Sequence, residues 1–224
     1  MPRIARIVAT GYPHHIIQRG NNKQTIFFND RDKCVYLDLL KKYSKECHCQ
    51  VCAYCLMSNH VHILCIPKYE NSLAKMMQKI SLTYTQYVNR KYKRTGRLWE
   101  CRFHSSIVDT DAYLLTVCRY IERNPVRVGI VANPIDYKWS SGVYNVGYKK
   151  SDFIVPIYNE FTTKDEYVNF LNLEEKKEDI DSIEKNTYKG KPIGTQKFLN
   201  WISNAFNVNF ISKSAGRPKR YVPN

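Results

Sequence analysis

The chain has 224 residues, 43% of them hydrophobic, and a formal net charge of +15, which excludes a wholly disordered polyelectrolyte and points to a polyanionic partner, nucleic acid first. The charge is segregated: residues 1–150 hold +14, residues 152–187 carry ten Asp/Glu against four Lys, and residues 188–224 carry seven Lys/Arg and no acid. No run of about 18 apolar residues is present and the N-terminus lacks an apolar leader core, so neither a membrane span nor a signal peptide is expected.

The organisation expected from this distribution is a basic body (1–150), an acidic spacer (151–187) and a basic tail (188–224). Residues 12–19 alternate as a short strand, and Gly20-Asn21-Asn22 turns the chain. Asp30 and Asp32 can cap a helix over about 31–46, whose apolar stripe is Tyr36, Leu39, Leu40 and Tyr43. Two strands follow at 49–57 and 60–66, and the short Ser58-Asn59 link suits a tight hairpin.

A long helix is predicted from near Asn71. Its apolar face runs from Leu73 through Ile80 to Val88, and Lys75, Lys79, Arg90, Lys91, Lys93 and Arg94 form a basic face able to meet phosphates. A strand is expected over 99–108 and a helix over 112–123, stopped by Pro125. Residues 164–187 read as acidic helix, 195–206 as a short amphipathic helix and 214–220 as a basic arm. The order strand, helix, strand, strand, helix, strand, helix predicts an α+β fold. Its plan is the ferredoxin-like split βαβ, an antiparallel sheet with helices on one face and a basic C-terminal extension.

The chemistry concentrates at three places. His60 and His62 are two apart on a strand, so their imidazoles project together and supply two-thirds of a divalent metal site. Tyr120 and Asn124 are four apart and share a helix face. A phenol is a competent nucleophile toward phosphorus when its pKa is lowered, and an amide oxygen can complete an O/N site suited to Mg²⁺ or Mn²⁺. The run Cys47-His48-Cys49-Gln50-Val51-Cys52-Ala53-Tyr54-Cys55 has C-x₂-C spacings, but strict alternation puts Cys49 and Cys55 on one face and Cys52 on the other. Buried reduced thiols are therefore favoured over zinc. His15 and Arg19 share a strand face where they could meet DNA phosphate.

Taken together, these motifs resemble the REP-associated tyrosine transposases, a branch of the single-tyrosine, HUH-type insertion-sequence transposases. The likeness is carried by Met1-Pro2-Arg3-x-Ala5-Arg6, His15-Ile16-x-x-Arg19-Gly20-Asn21 and Met57-Ser58-Asn59-His60-Val61-His62. It continues through Arg102-Phe103-His104-Ser105, Arg119-Tyr120-Ile121-Glu122-x-Asn124-Pro125-Val126-Arg127 and Tyr137-x-Trp139-Ser140-Ser141. A weaker echo follows in Gly194 with Phe198 and in Gly216-Arg217-Pro218-Lys219. The sequence departs from the pattern at Ser58 and Val128, where Pro and Ala are commoner, and in its long acidic stretch.

The resemblance implies a metal-dependent single-stranded DNA endonuclease and strand transferase acting at hairpins of repetitive palindromes. His60, His62 and Asn124 would bind Mg²⁺ or Mn²⁺, and Tyr120 would form a 5′-phosphotyrosine while releasing a 3′-hydroxyl. Arg3, Arg6, His15, Arg19, Asn21, Arg102, Arg127, Arg217, Lys219 and Arg220 are the DNA-binding candidates. The likeness further implies a cytoplasmic, nucleoid-associated bacterial protein, monomeric in preference to homodimeric. The alternatives are a hairpin-binding protein that does not cleave and, less favoured, a zinc-binding regulator built on Cys47–Cys55.

Overall fold

The computed structural model describes residues 6–110, 113–157 and 163–210. Four strands form one sheet: β1 (His14–Arg19), β2 (Cys49–Leu56), β3 (His60–Pro67) and β4 (His104–Ile107), in the spatial order β2-β3-β1-β4 with each neighbouring pair antiparallel. Helix α1 (Asp30–Glu46) joins β1 to β2, and α2 (Ser72–Lys91) joins β3 to β4. Each helix therefore connects two parallel strands with a third between them, the split βαβ arrangement the element order predicts. Right-handed crossovers place both helices on the same face.

Local chemistry sets the boundaries. The Asn29 side chain caps α1 by accepting from the Asp32 amide, and the Asp32 carboxylate reaches back to the Asn29 amide. Met57 N–H donates to the His60 carbonyl at 2.9 Å, so Ser58 and Asn59 form the two-residue tip of a β2–β3 hairpin. Gly20 ends β1 where its backbone lies against the Gln24 carbonyl, and a Cβ there would clash with that oxygen.

Helix α3 (Leu114–Glu122) and the short α4 (Asn124–Arg127) lie on the opposite face of the sheet, so the expectation of helices on one face holds for α1 and α2 only. The two faces of β1 show it: Gln18 accepts from Ser81 on α2, whereas His15 lies 5.6 Å from Tyr120 on α3, ring to ring. The cause is burial. Residues 14–18 of β1 and 61–65 of β3 are buried throughout, so both faces need cover.

A short α5 (Gly142–Asn145) follows, and the acidic stretch forms α6 (Lys164–Asn172) and α7 (Lys177–Lys189). These two pack on the α3 side. Tyr167 of α6 is fully buried and donates to Glu122 at 2.8 Å, and Thr187 of α7 is buried against His15. Helix α8 (Gln196–Phe206) closes over Ala9 and Ile107 through Phe198 and Ile202.

The strand expected over 99–108 is confined to β4. Trp99 instead turns its ring into an aromatic cluster with Tyr36 and Tyr84 and makes a single bridge to Gly20. No helix among the described residues is long and apolar enough to cross a membrane.

Candidate active site

The hairpin and α3 converge at one cavity of about 480 Å³, lined among others by His60, His62, Tyr120, Asn124, Arg127 and Glu184. Residues 60 and 62 lie opposite Arg19 and Ile17 in the β1–β3 register, so the middle of the sheet supplies a rigid floor. The two imidazole centroids are 4.9 Å apart, and the Tyr120 ring stands edge-on to His62 at 5.6 Å. Asn124 begins the turn that follows α3 directly, with Arg123 at φ −85°, ψ 0°. The chain thus stays helical enough across the Arg123 junction to keep residues 120 and 124 on one side despite Pro125.

Each imidazole has its Nδ1 engaged. His60 Nδ1 lies 2.7 Å from Asn59 Oδ1, and His62 Nδ1 lies 3.1 Å from His15 Nε2. Burial, then the positive charges of Arg19 and Arg127, push His60 down to about 4. Burial, His60, His15 and Arg127 push His62 well below the ordinary histidine value. Both rings are therefore neutral at pH 7, so no proton competes with a cation for their remaining nitrogens.

The donor set (two neutral imidazoles and one amide lining a polar cavity) is of the mixed N/O kind that a divalent cation can take. Among the described residues no group of three or more His, Cys, Asp or Glu is placed to hold a metal, so a site here needs the Asn124 amide. The Cys47–Cys55 run likewise forms no such group among the described residues. Cys47, Cys49, Cys52 and Cys55 are buried and none is in a disulfide.

The Tyr120 hydroxyl donates to Glu184 Oε1 at 3.2 Å, and the Arg127 guanidinium lies 4.2 Å from the ring centroid. Burial, with the Glu184 charge second, raises the phenol above its ordinary pKa, while Arg127 opposes the rise. Arg127 also donates to the Tyr120 carbonyl at 2.6 Å and to Glu175 at 2.6 Å. Glu175 accepts from Arg123 as well, at 3.3 Å. Glu175 of the acidic stretch thus pairs with Arg127, which lines the cavity, and with Arg123.

The DNA-binding candidates divide. Arg19 lines the cavity, paired with Glu100 at 2.8 Å, and Arg127 lines it too. Arg6 packs on the Phe103 ring at 3.9 Å and donates to the Phe103 carbonyl, and Arg102 is exposed beside it. Asn21 is half-buried in the turn after β1. His15 is a correction: it is fully buried and meets His62 and Thr187, so it cannot touch a phosphate. Arg3, Arg217, Lys219 and Arg220 lie outside the described residues.

The basic face of α2 belongs to the far side of the sheet. There Lys79 pairs with Glu46 at 3.0 Å and Lys91 with the buried Asp32 at 2.6 Å. Sequence reasoning missed Asn59, Thr187, Glu175 and Glu184. Asn59 was within reach because it adjoins His60. The other three approach the site only through long-range packing.

A family model described as "Transposase IS200 like" matches residues 9–124, from just before β1 to Asn124. The chain is 25% identical over 135 residues to a Haemophilus influenzae protein that carries, provisionally, the name REP-associated tyrosine transposase; the match covers 52% of this chain and 76% of that one. A solved structure of a REP-associated tyrosine transposase bound to a REP hairpin is similar in fold, with a TM-score of 0.57 at 16% identity, covering 65% of this chain and 86% of that one.

Proposed function

The chain belongs to the IS200-like transposase family, and from that premise we propose that it is a metal-dependent single-stranded DNA endonuclease and strand transferase acting at repetitive palindromic hairpins. The observation that carries the reading is the convergence of His60, His62, Tyr120 and Asn124 on one cavity. The hairpin substrate is supported by the names of the H. influenzae relative and of the solved structure.

His60, His62 and Asn124 would hold Mg²⁺ or Mn²⁺. When bound there, the cation supplies Lewis-acid polarisation of a non-bridging phosphate oxygen. Tyr120 attacks phosphorus, giving a 5′-phosphotyrosine and a free 3′-hydroxyl. The phosphodiester energy is kept in that bond, so rejoining needs no nucleotide. Arg127, stacked on the ring, offsets part of the burial that disfavours the phenolate. Arg19 and Arg127 offer cationic groups to the backbone of the strand, which sets position without reading sequence.

In this reading residues 1–150 form the nuclease, the basic residues after 188 add DNA contacts, and the protein acts as a monomer. The test is product chemistry on a labelled REP hairpin with Mn²⁺. A nick whose 3′ end a polymerase extends, and whose 5′ end carries covalently bound protein that protease trims only to a Tyr120-containing peptide, supports the proposal. Hairpin binding with no metal-dependent product would leave a binder that does not cut.

A further inference from the structure

The proton position on His62 is dictated from α7, through groups that no part of the cleavage scheme uses. The chain begins at a carbonyl. Thr187 Oγ1 lies 2.8 Å from the Ile183 carbonyl oxygen, which has no proton to give. The only hydroxyl proton of Thr187 is therefore spent on that contact. His15 Nδ1 lies 2.9 Å from the same Oγ1, so it must be the donor.

His15 is fully buried, and a neutral imidazole carries a single N–H. Its Nε2 is then a bare lone pair, 3.1 Å from His62 Nδ1. His62 has to donate there, and its Nε2 is left as a lone pair. His60 reaches the same state by a shorter route, because the Asn59 amide oxygen opposite its Nδ1 can only accept. Two independent devices thus protonate both rings at Nδ1.

We infer that Thr187 and His15 are positioning residues that fix the tautomer of His62, so that helix α7 of the acidic stretch completes the metal site rather than merely following it. The inference rests on reading His60 and His62 as metal ligands. Hydrogen-bonded partners of ligating imidazoles are the groups that set ring orientation and tautomer. Without the Thr187 oxygen, the buried His15 proton moves to Nε2, donates to His62 Nδ1 and forces the His62 proton onto the nitrogen that should ligate.

The test uses the full chain, Thr187→Val and Thr187→Ser, with His60→Ala as control. Histidine ¹⁵N shifts are read without metal, and Mn²⁺ affinity is read by calorimetry. The unaltered protein should show His62 protonated at Nδ1. Thr187→Ser should keep that tautomer and its affinity, while Thr187→Val should weaken Mn²⁺ binding by about ten-fold or more. A purely structural role ranks the variants the other way, because valine keeps the shape and serine loses the methyl group.

His62 protonated at Nε2 in the unaltered protein, or Thr187→Val binding Mn²⁺ like wild type, overturns the inference. If Thr187→Val does not fold, the tautomer in the unaltered protein and in Thr187→Ser decides. If wild type binds Mn²⁺ no better than His60→Ala, the metal reading itself fails, while the metal-free spectrum still settles whether His15 and Thr187 set the tautomer.

Discussion

Among the described residues, Glu184 is the acid bonded to the hydroxyl of the proposed nucleophile. Its carboxylate accepts from the Tyr120 hydroxyl at 3.2 Å and helps burial hold the phenol protonated. Glu184→Gln keeps an acceptor of similar shape and removes the charge. The cleavage rate on hairpin DNA should rise, by up to about ten-fold if the phenol pKa falls by one. A lower rate would instead mark Glu184 as the group that takes the Tyr120 proton. A second residue-level prediction concerns Tyr36. Its ring is fully buried against Phe27 and Tyr84, and its hydroxyl has no hydrogen-bond partner among the described residues. An unpaired buried hydroxyl costs roughly 1 kcal/mol or more, so Tyr36→Phe should raise stability in urea denaturation by that order. A loss of similar size would mean the hydroxyl has a partner in solution.

Helix α3 is held at the angle that presents Tyr120 by a carboxylate on its other side. Glu122 is fully buried and accepts from Ser141 at 2.6 Å, Asn145 at 2.6 Å and Tyr167 at 2.8 Å, tying α3 to the segment around α5 and to α6. Glu122→Leu would remove the acceptor these three buried donors share and leave them only Tyr54 and Cys52 carbonyls and the Cys118 sulfur, and a loss of roughly 1–3 kcal/mol in unfolding free energy is expected. A change within about 0.5 kcal/mol, the range of ordinary surface substitutions, would show the network holds nothing.

At this scale the sequence was most readable where the signal is local. The capped α1, the Ser58-Asn59 hairpin, α2 and α8 lie where periodicity and turn chemistry put them, because each is specified by its own residues. The strand over 99–108 was overextended because Trp99 alternates correctly yet is worth more inside the aromatic cluster than in the sheet. The near-continuous apolar run of β3 does hint at burial on both faces. The pattern cannot say that the second cover includes the acidic helices, since Glu175 and Glu184 find Arg127 and Tyr120 about fifty residues or more away in the chain. The pair His60/His62 and the spacing of Tyr120 and Asn124 were legible as faces. The burial of His15 was not, because a face shared with Arg19 says nothing about what covers it.

Across the whole molecule, several imidazoles are buried neutral, and that sets an acid limit on the fold. Burial lowers His14 to about 4 and His15 to about 3, and His60 also falls to about 4, against an unfolded value near 6.5. Between those values the unfolded chain binds more protons than the native one, so stability falls as pH drops. It should be full above pH 6.5 and decline progressively toward pH 4, by at most roughly 3 kcal/mol for each such imidazole. Thermal denaturation measured from pH 8 to pH 4 checks this, and a flat profile through that window would contradict the buried neutral rings.

The central claim is that one phenol and two imidazoles act at one phosphate. The direct measurement is mass spectrometry of the proteolysed complex formed between single-stranded hairpin DNA and the protein in Mn²⁺. A DNA adduct on the Tyr120 peptide, absent in Tyr120→Phe and in His60→Ala, is the predicted result. An adduct on any other residue, or one that persists in Tyr120→Phe, would contradict it.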